Sequence, residues 1–213
     1  GARKVELIEE PMAAAIGAEL PVETPTGSMV VDIGGGTTEV AVISLGGVVY
    51  SNSVRVGGDK FDEAIIRYLK DTKKIVVTEA QAETLKVQLS TAMPKKNIHS
   101  MEIDARDIDT GFHKKVTISS EEIGIALSDS IQLIVHGVLN AIEHTPPELV
   151  SDIIDSGITL AGGGALIKEL SAKLETEIRI PVRIATEPLT AIARGGEMLL
   201  SDPDLLDAIQ IEV

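Results

Sequence analysis

An α/β fold with a small inserted α+β segment is predicted for this chain by three observations. Apolar runs of strand length alternate with stretches whose apolar residues recur at helical spacing. Two of those runs, Val30–Ile33 and Ile158–Ala161, end in glycine triplets, Gly34-Gly35-Gly36 and Gly162-Gly163-Gly164. Between residues 74 and 118 the pattern changes to one helix and two short strands, with stronger α/β signals on either side. The predicted division is 1–73 with 119–213 as the larger unit and 74–118 as the insertion.

Composition limits what such a fold can do. Aromatic residues make up 2% of the chain against 44% hydrophobic residues, so the core must be built from Ile, Val, Leu, Ala and Met. A net charge of −14 argues against general nucleic-acid binding, which depends on neutralising phosphates. It does not argue against a nucleotide in a cleft, where backbone amides and a metal supply the positive charge. With no cysteine there are no disulfides, thiolate nucleophiles or cysteine zinc sites, as suits a reducing cytosol. No uninterrupted apolar run approaches the ~18 residues of a spanning helix.

Taken in order, Val5–Ile8 alternates as a short strand, and Glu10-Pro11 opens a helix through Met12–Ala18, where Pro suits the first turn and Ala favours helix. Pro21–Gly27 is a loop. Val30–Ile33 leads through the first glycine triplet to a return strand, Val40–Leu45. Gly46-Gly47 then makes a hairpin turn into a third strand, Val48–Val56. Asp59 is the expected N-cap of a helix with Phe61, Ile65, Ile66 and Leu69 on its apolar face. Thr78 and Gln81 form a capping box for a helix running toward Met93, where Pro94–Asn97 breaks it. Met101–Ile108 and Lys115–Ile118 are the two inserted strands, joined by Asp109-Thr110-Gly111. Ser119 and Glu122 form a second capping box, for a long buried helix that stops before Pro146-Pro147. A short helix over Glu148–Ile154, a strand to Ala161, a helix over Ala165–Thr176, a strand at Pro181–Ile184 and a helix from Pro188 complete the pattern. The acidic tail from Ser201 is expected to be loosely ordered.

The chemistry concentrates in the two glycine triplets. Around Gly34–Gly36, amide N–H groups with Thr37 and Thr38 beside them can cradle an anion such as phosphate. Asp32, at the strand end, can hold Mg²⁺ through water, since that ion combines few carboxylates with phosphate oxygens. An ordinary glycine-rich hairpin is the competing reading. Gly162–Gly164 opens a helix and suits either nucleotide binding or tight strand-to-helix packing. Neither triplet matches the dinucleotide fingerprint or the P-loop. Glu10, before Pro11, is the candidate general base or water-positioning group, although an exposed Glu before Pro is commonly structural. His99, His113, His136 and His144 show no metal-site spacing, and Ser44, Ser51 and Ser128 lack a nucleophile-elbow pattern.

Several stretches together resemble the actin/hexokinase/heat-shock-chaperone ATPase superfamily. Asp32–Glu39 is similar to its second phosphate motif, Leu160–Gly164 to its adenosine motif, and Ile8–Ala15 to the segment connecting its two large domains. Val31–Leu45, Gly57–Ile65 and Thr145–Ile153 resemble more closely the bacterial actins of the MreB family, over about Ala2 to Leu200. The resemblance implies an actin-like, ribonuclease-H-like ATPase domain: a five-stranded mixed sheet flanked by helices, with the small inserted subdomain. It implies ATP/ADP and Mg²⁺ as cofactors, Asp32 orienting the metal's water shell, and Gly34, Gly35, Gly36 and Thr37 holding the β- and γ-phosphates. Glu10 would position the attacking water, Gly162, Gly163 and Gly164 would pack on the adenosine, and Glu83 and Lys86 would reach base and ribose. As partners it implies further copies of the protein, in protofilaments and antiparallel pairs, and a transmembrane adaptor of the elongation machinery. The place of action would be the cytoplasm, peripheral to the inner membrane, in filaments guiding cell-wall synthesis and rod shape.

The likeness is to the second domain of that family, entered at the connecting segment. A first phosphate loop of Asp-x-Gly-Thr type and the membrane-binding segment belong to the family's first domain. The chain alone is therefore expected to bind nucleotide weakly and to turn over almost none. Val87–Ser90 also departs from the family's acidic-and-glycine pattern. The alternatives are a nucleotide-independent structural or adaptor-docking module of the same fold, and a chaperone-type relative.

Overall fold

Three consecutive strands build a meander: β1 (Ser28–Ile33), β2 (Thr38–Ser44) and β3 (Gly47–Val54), paired antiparallel with a bulge between Val42 and Ile43. The computed structural model describes residues 1, 4–96 and 98–210. On its other edge β1 pairs in parallel with β7 (Ile158–Ala161), and β7 with β8 (Val182–Ile184), giving the order β3-β2-β1-β7-β8. This is the expected five-stranded mixed sheet.

Successive side chains leave a strand on opposite faces, and both faces here are covered. Val31, Ile33, Val40 and Val42 point toward α2 (Gly58–Lys73) and α4 (Ser120–His144), where Phe61, Ile65, Leu69, Leu127, Ile131 and Val138 fill the larger core. Val30, Ala41, Ile43 and Ala161 meet the opposite layer, built from α1 (Glu10–Gly17) and α7 (Ala191–Ser201). By length and composition α4 is apolar enough to cross a membrane, but its apolar stripe is the buried wall of this core.

The α1–α7 contact is unusually close. A Cβ on Gly17 would stand 2.8 Å from the Gly195 amide nitrogen, and one on Gly195 would stand 2.7 Å from the Ala13 carbonyl carbon. Only residues without side chains allow two backbones this near each other.

The segment after α2 makes a second sheet in the order β4-β5-β6, from β4 (Ile75–Val76), β5 (Ser100–Asp107) and β6 (His113–Ser119). Its helix α3 (Glu79–Leu89) starts at the Thr78–Gln81 capping box, and α4 at the Ser119–Glu122 box, both as expected. Asp107 holds the β5–β6 turn. Hydrogen bonds from Lys114 and then Thr110 keep its carboxyl well below the usual carboxylate range.

Several expectations fail for identifiable reasons. Val5–Ile8 forms no strand: Val5 and Leu7 face solvent, and the stretch pairs with none of the strands among the described residues. Asp59 does not cap α2. Gly57 is the N-cap, and the Gly58 and Asp59 amides are satisfied by carbonyls of the first glycine triplet. The helix α3 ends at Leu89 rather than near Met93, and no α-helix begins at Ala165. A single cause accounts for both. Thr91 bridges Lys168, and the Ala92 N–H donates to the Lys168 carbonyl at 2.9 Å, drawing both stretches out of helical geometry. A 3₁₀ turn therefore covers Gly163–Leu166, and α6 (Leu170–Ile178) starts later. The expected helix at Glu148–Ile154 is α5 (Pro147–Ser156). The tail is ordered as α8 (Pro203–Ile209), capped by Asp202, with Ile209 buried and Leu205 and Leu206 packed on the second core. Of the break expected at Pro94–Asn97, Asn97 lies outside the described residues.

Candidate functional site

The first glycine triplet is the tip of the β1–β2 hairpin. The Gly34 N–H donates to the Thr37 carbonyl at 2.9 Å and closes the ladder. The Gly34 and Gly35 carbonyls accept from the Gly58 and Asp59 N–H groups at 3.0 and 2.9 Å. In a planar trans peptide the C=O and the following N–H point in opposite directions. The N–H groups of Gly35 and Gly36 are thus turned away from α2, free of the helix that anchors the loop. Thr38 does something different. Its hydroxyl is buried and donates to the Val56 carbonyl at 2.8 Å.

Asp32 lies at the carboxyl end of β1, opposite Glu39 on one side and Ala161 on the other. It is 3% exposed. Burial first, and then the charges of Glu10 and Glu39, push its carboxyl up to about 6. Glu10 is the exposed first residue of α1, directly before Pro11. Two carboxylates that repel each other beside an amide-rich loop form a site that favours a cation between itself and an anionic ligand.

The second triplet follows β7, the parallel neighbour of β1, so both triplets leave the same end of the sheet. The Gly162 N–H donates to the Pro188 carbonyl at 2.8 Å, fixing the 3₁₀ turn Pro188–Thr190 beside it. Leu166, Leu189 and Ile192 sit on this side as exposed apolar groups. From the segment after α2, α3 brings Glu83 and Lys86 one helical turn apart on the same face. The Lys86 ammonium lies 2.8 Å from Asp62 Oδ2, 3.2 Å from the Gly58 carbonyl and 4.0 Å from Glu83 Oε1, the last too long for a hydrogen bond.

These groups enclose one cleft of about 550 Å³. Glu10, Asp32, Gly34, Gly35, Glu83, Lys86, Gly162, Gly163 and Gly164 all line it, drawn from four separate stretches of chain. Gly36 and Thr37 stand exposed at the hairpin tip, outside the lining, and Thr38 is turned into the sheet. Sequence reasoning missed the apolar wall of Leu166, Leu189 and Ile192, which no local pattern marks. It also missed Asp62, which was legible only as one acidic residue among several in the first turns of α2. No group of three potential metal-ligating side chains occurs among the described residues. His113 pairs with Asp104, and His144 stacks on Tyr50, both away from the cleft.

A sheet of this order with a cleft at the strand ends is the architecture of the actin-like fold. A MamK double helical filament shares it with a TM-score of 0.74 over 91% of this chain, at 22% identity, a likeness of fold alone. MreB5 of Spiroplasma citri is nearer. Its ADP-bound crystal structure matches 98% of this chain and 63% of its own, with a TM-score of 0.92 and 37% identity. Its AMPPNP-bound structure matches 92% and 59%, with a TM-score of 0.88. The MreB/Mbl protein family model matches residues 1–208, and the cell shape-determining protein MreB of Escherichia coli K12 is 53% identical over 205 residues. The chain belongs to the MreB/Mbl family. It spans 59% of the length of that E. coli relative, which covers 96% of this chain.

Proposed function

We propose that this chain is the nucleotide-holding part of an actin-like filament protein that determines cell shape, and that its cleft takes ATP or ADP with Mg²⁺. The observation that carries this reading is the convergence of Glu10, Asp32, both glycine triplets and the Glu83–Lys86 pair on one cleft at the end of the sheet. The S. citri relative, bound to ADP in one structure and to AMPPNP in another, supports the choice of ligand.

In this reading the amides of the hairpin tip hold the β- and γ-phosphates, and Gly162–Gly164 with Leu166 and Leu189 form the flat wall against the adenosine. Glu83 and Lys86, from the 74–118 subdomain, reach the base and ribose. Glu10 orients the attacking water. A metal fits the residues present: Asp32 is a single buried carboxylate raised by burial first and then by its neighbours' charge, with no cluster of potential protein ligands around it among the described residues. That donor set suits an ion that keeps its water shell and takes its remaining ligands from phosphate. Mg²⁺ supplies charge neutralisation on the phosphates. Phosphoryl transfer depends mainly on positioning and charge stabilisation, and these are the parts the residues of this cleft would play. Self-association into filaments, a membrane-bound adaptor and a cytoplasmic place beside the inner membrane complete the proposal.

Calorimetric titration of this chain with Mg-ATP, beside Asp32→Ala, tests it. Saturable binding by the wild type and loss in the variant are expected. Equal, unresponsive traces from both would replace this reading with a nucleotide-independent module.

A further inference from the structure

The Lys86 ammonium lines the nucleotide cleft yet is held from behind. Asp62 Oδ2 and the Gly58 carbonyl accept two of its three N–H donors, and both side chains of the ion pair are only 15% exposed. Gly58 is also the residue whose own N–H donates to the Gly34 carbonyl. A continuous path of hydrogen bonds therefore runs from Asp62 through Lys86 and Gly58 to the hairpin that carries the first glycine triplet. It joins the inserted helix α3 to the phosphate side of the cleft through a single ammonium group.

Folding alone does not explain Asp62. Its second oxygen, Oδ1, is buried with no hydrogen-bond partner among the described residues. Burial pushes its carboxyl up, and the adjacent Lys86 opposes that shift without cancelling it. A half-satisfied buried carboxylate is costly, and a buried ion pair adds little net stability over apolar packing. What the pair does accomplish is placement. Without Asp62, the long Lys86 side chain would carry its charge out to water.

Resting on the nucleotide reading of the cleft, we infer that Asp62 is a positioning residue. It holds the Lys86 ammonium at the border between α3 and the glycine hairpin, with one N–H left for the sugar–phosphate part of a bound nucleotide. Asp62 does not touch the ligand. It acts through Lys86, and the shared Gly58 contact keeps the inserted helix in register with the hairpin.

The test is calorimetric binding of Mg-ADP to the 213-residue chain as wild type, Asp62→Asn, Asp62→Glu, Lys86→Ala and the Asp62→Asn/Lys86→Ala double variant. Asp62→Asn and Lys86→Ala are each expected to weaken binding about tenfold, with the double variant no weaker than Lys86→Ala, because coupled residues are non-additive. Asp62→Glu keeps the charge and is expected to recover part of the loss, which also serves if the Asn variant folds poorly. Wild-type affinity in Asp62→Asn, or fully additive losses in the double variant, overturns the inference. Asp32→Ala separates this failure from that of the nucleotide reading. If Asp32→Ala abolishes binding while Asp62→Asn binds normally, only the positioning role falls. If the wild type does not bind at all, both fall. A readout without nucleotide is the rate at which an N-hydroxysuccinimide ester acylates Lys86, followed by peptide mass spectrometry. The rate should rise severalfold in Asp62→Asn, and an unchanged rate overturns the inference.

Discussion

The two glycine triplets look alike in the chain and are glycine for opposite reasons. At Gly162 the backbone has φ +77°, and an added Cβ would stand 2.6 Å from Asp32 Oδ1. At Gly164 the same atom would press into the Ile33 side chain. The fold itself excludes side chains there, because the second triplet turns directly over the end of β1. The first triplet is under no such demand. Gly35 and Gly36 have no positive φ, and a Cβ on either would meet nothing within 4 Å. Neither conformation nor internal packing requires glycine at those positions. On the proposed reading, the open space beside their amides is room for a ligand to approach the backbone. One triplet shapes the site, and the other is available to what enters it.

Substitutions can break this contrast. The largest effect is expected from Gly162→Ala, which adds a strained left-handed residue to a backbone clash. It should destabilise the chain by about 3–4 kcal/mol, a fall in Tm on the order of 10 °C by thermal unfolding. Next is Asp32→Asn. Mg-ATP affinity should fall about 100-fold as the buried carboxylate at the proposed metal position is neutralised.

The same variant should be more stable than the wild type at pH 7.5. The folded carboxyl titrates at about 6 against an ordinary 3.8. The folded state therefore holds this proton more tightly than the unfolded one. The resulting penalty is absent below about pH 4, grows as pH rises toward 6, and is complete above it. Asp32→Asn removes it, for a gain of up to about 3 kcal/mol before solvent screening. Unfolding at pH 7.5 and at pH 4 checks the sign, since the gain should vanish in acid. A variant less stable at pH 7.5 would contradict the electrostatic account.

Gly35→Ala and Gly36→Ala sharpen the contrast from the other side. Each should leave Tm within about 1–2 °C of the wild type, as for a surface change. Each should nevertheless weaken nucleotide binding about tenfold by crowding the amides. A large stability loss in either would mean the hairpin needs its glycines for folding. The effect of Thr38→Val is expected on stability alone. Removing its hydroxyl strands the Val56 carbonyl and should cost about 1–2 kcal/mol, with nucleotide affinity unchanged in the same titration.

Features set by neighbours along the chain were legible in the sequence: the meander, the glycine turns, both capping boxes, and the apolar faces of α2 and α4. Features set by distant partners were not. Asp59 is a good cap by residue type, but the Gly34 and Gly35 carbonyls reached the helix N-terminus first. Ala165–Lys168 has helical composition, yet pairing with Thr91 and Ala92 reshapes it. The acidic tail became a helix because Leu205, Leu206 and Ile209 found the apolar layer beside α1. At the site, the glycines and Asp32 stood out by spacing, while Asp62 and the apolar wall acquire meaning only through what lies opposite them.

The backbone-to-backbone crossing of α1 and α7 has a mechanical consequence. Glu10 begins α1, and the Pro188–Thr190 turn with Ile192 begins the α7 side of the cleft. Where Gly17 and Gly195 meet, no side chain cushions the two backbones, so sliding or rolling of one helix past the other meets backbone repulsion directly. A displacement of α1 is thereby passed to α7, and the carboxylate at one rim of the cleft is coupled to the apolar ledge at the other.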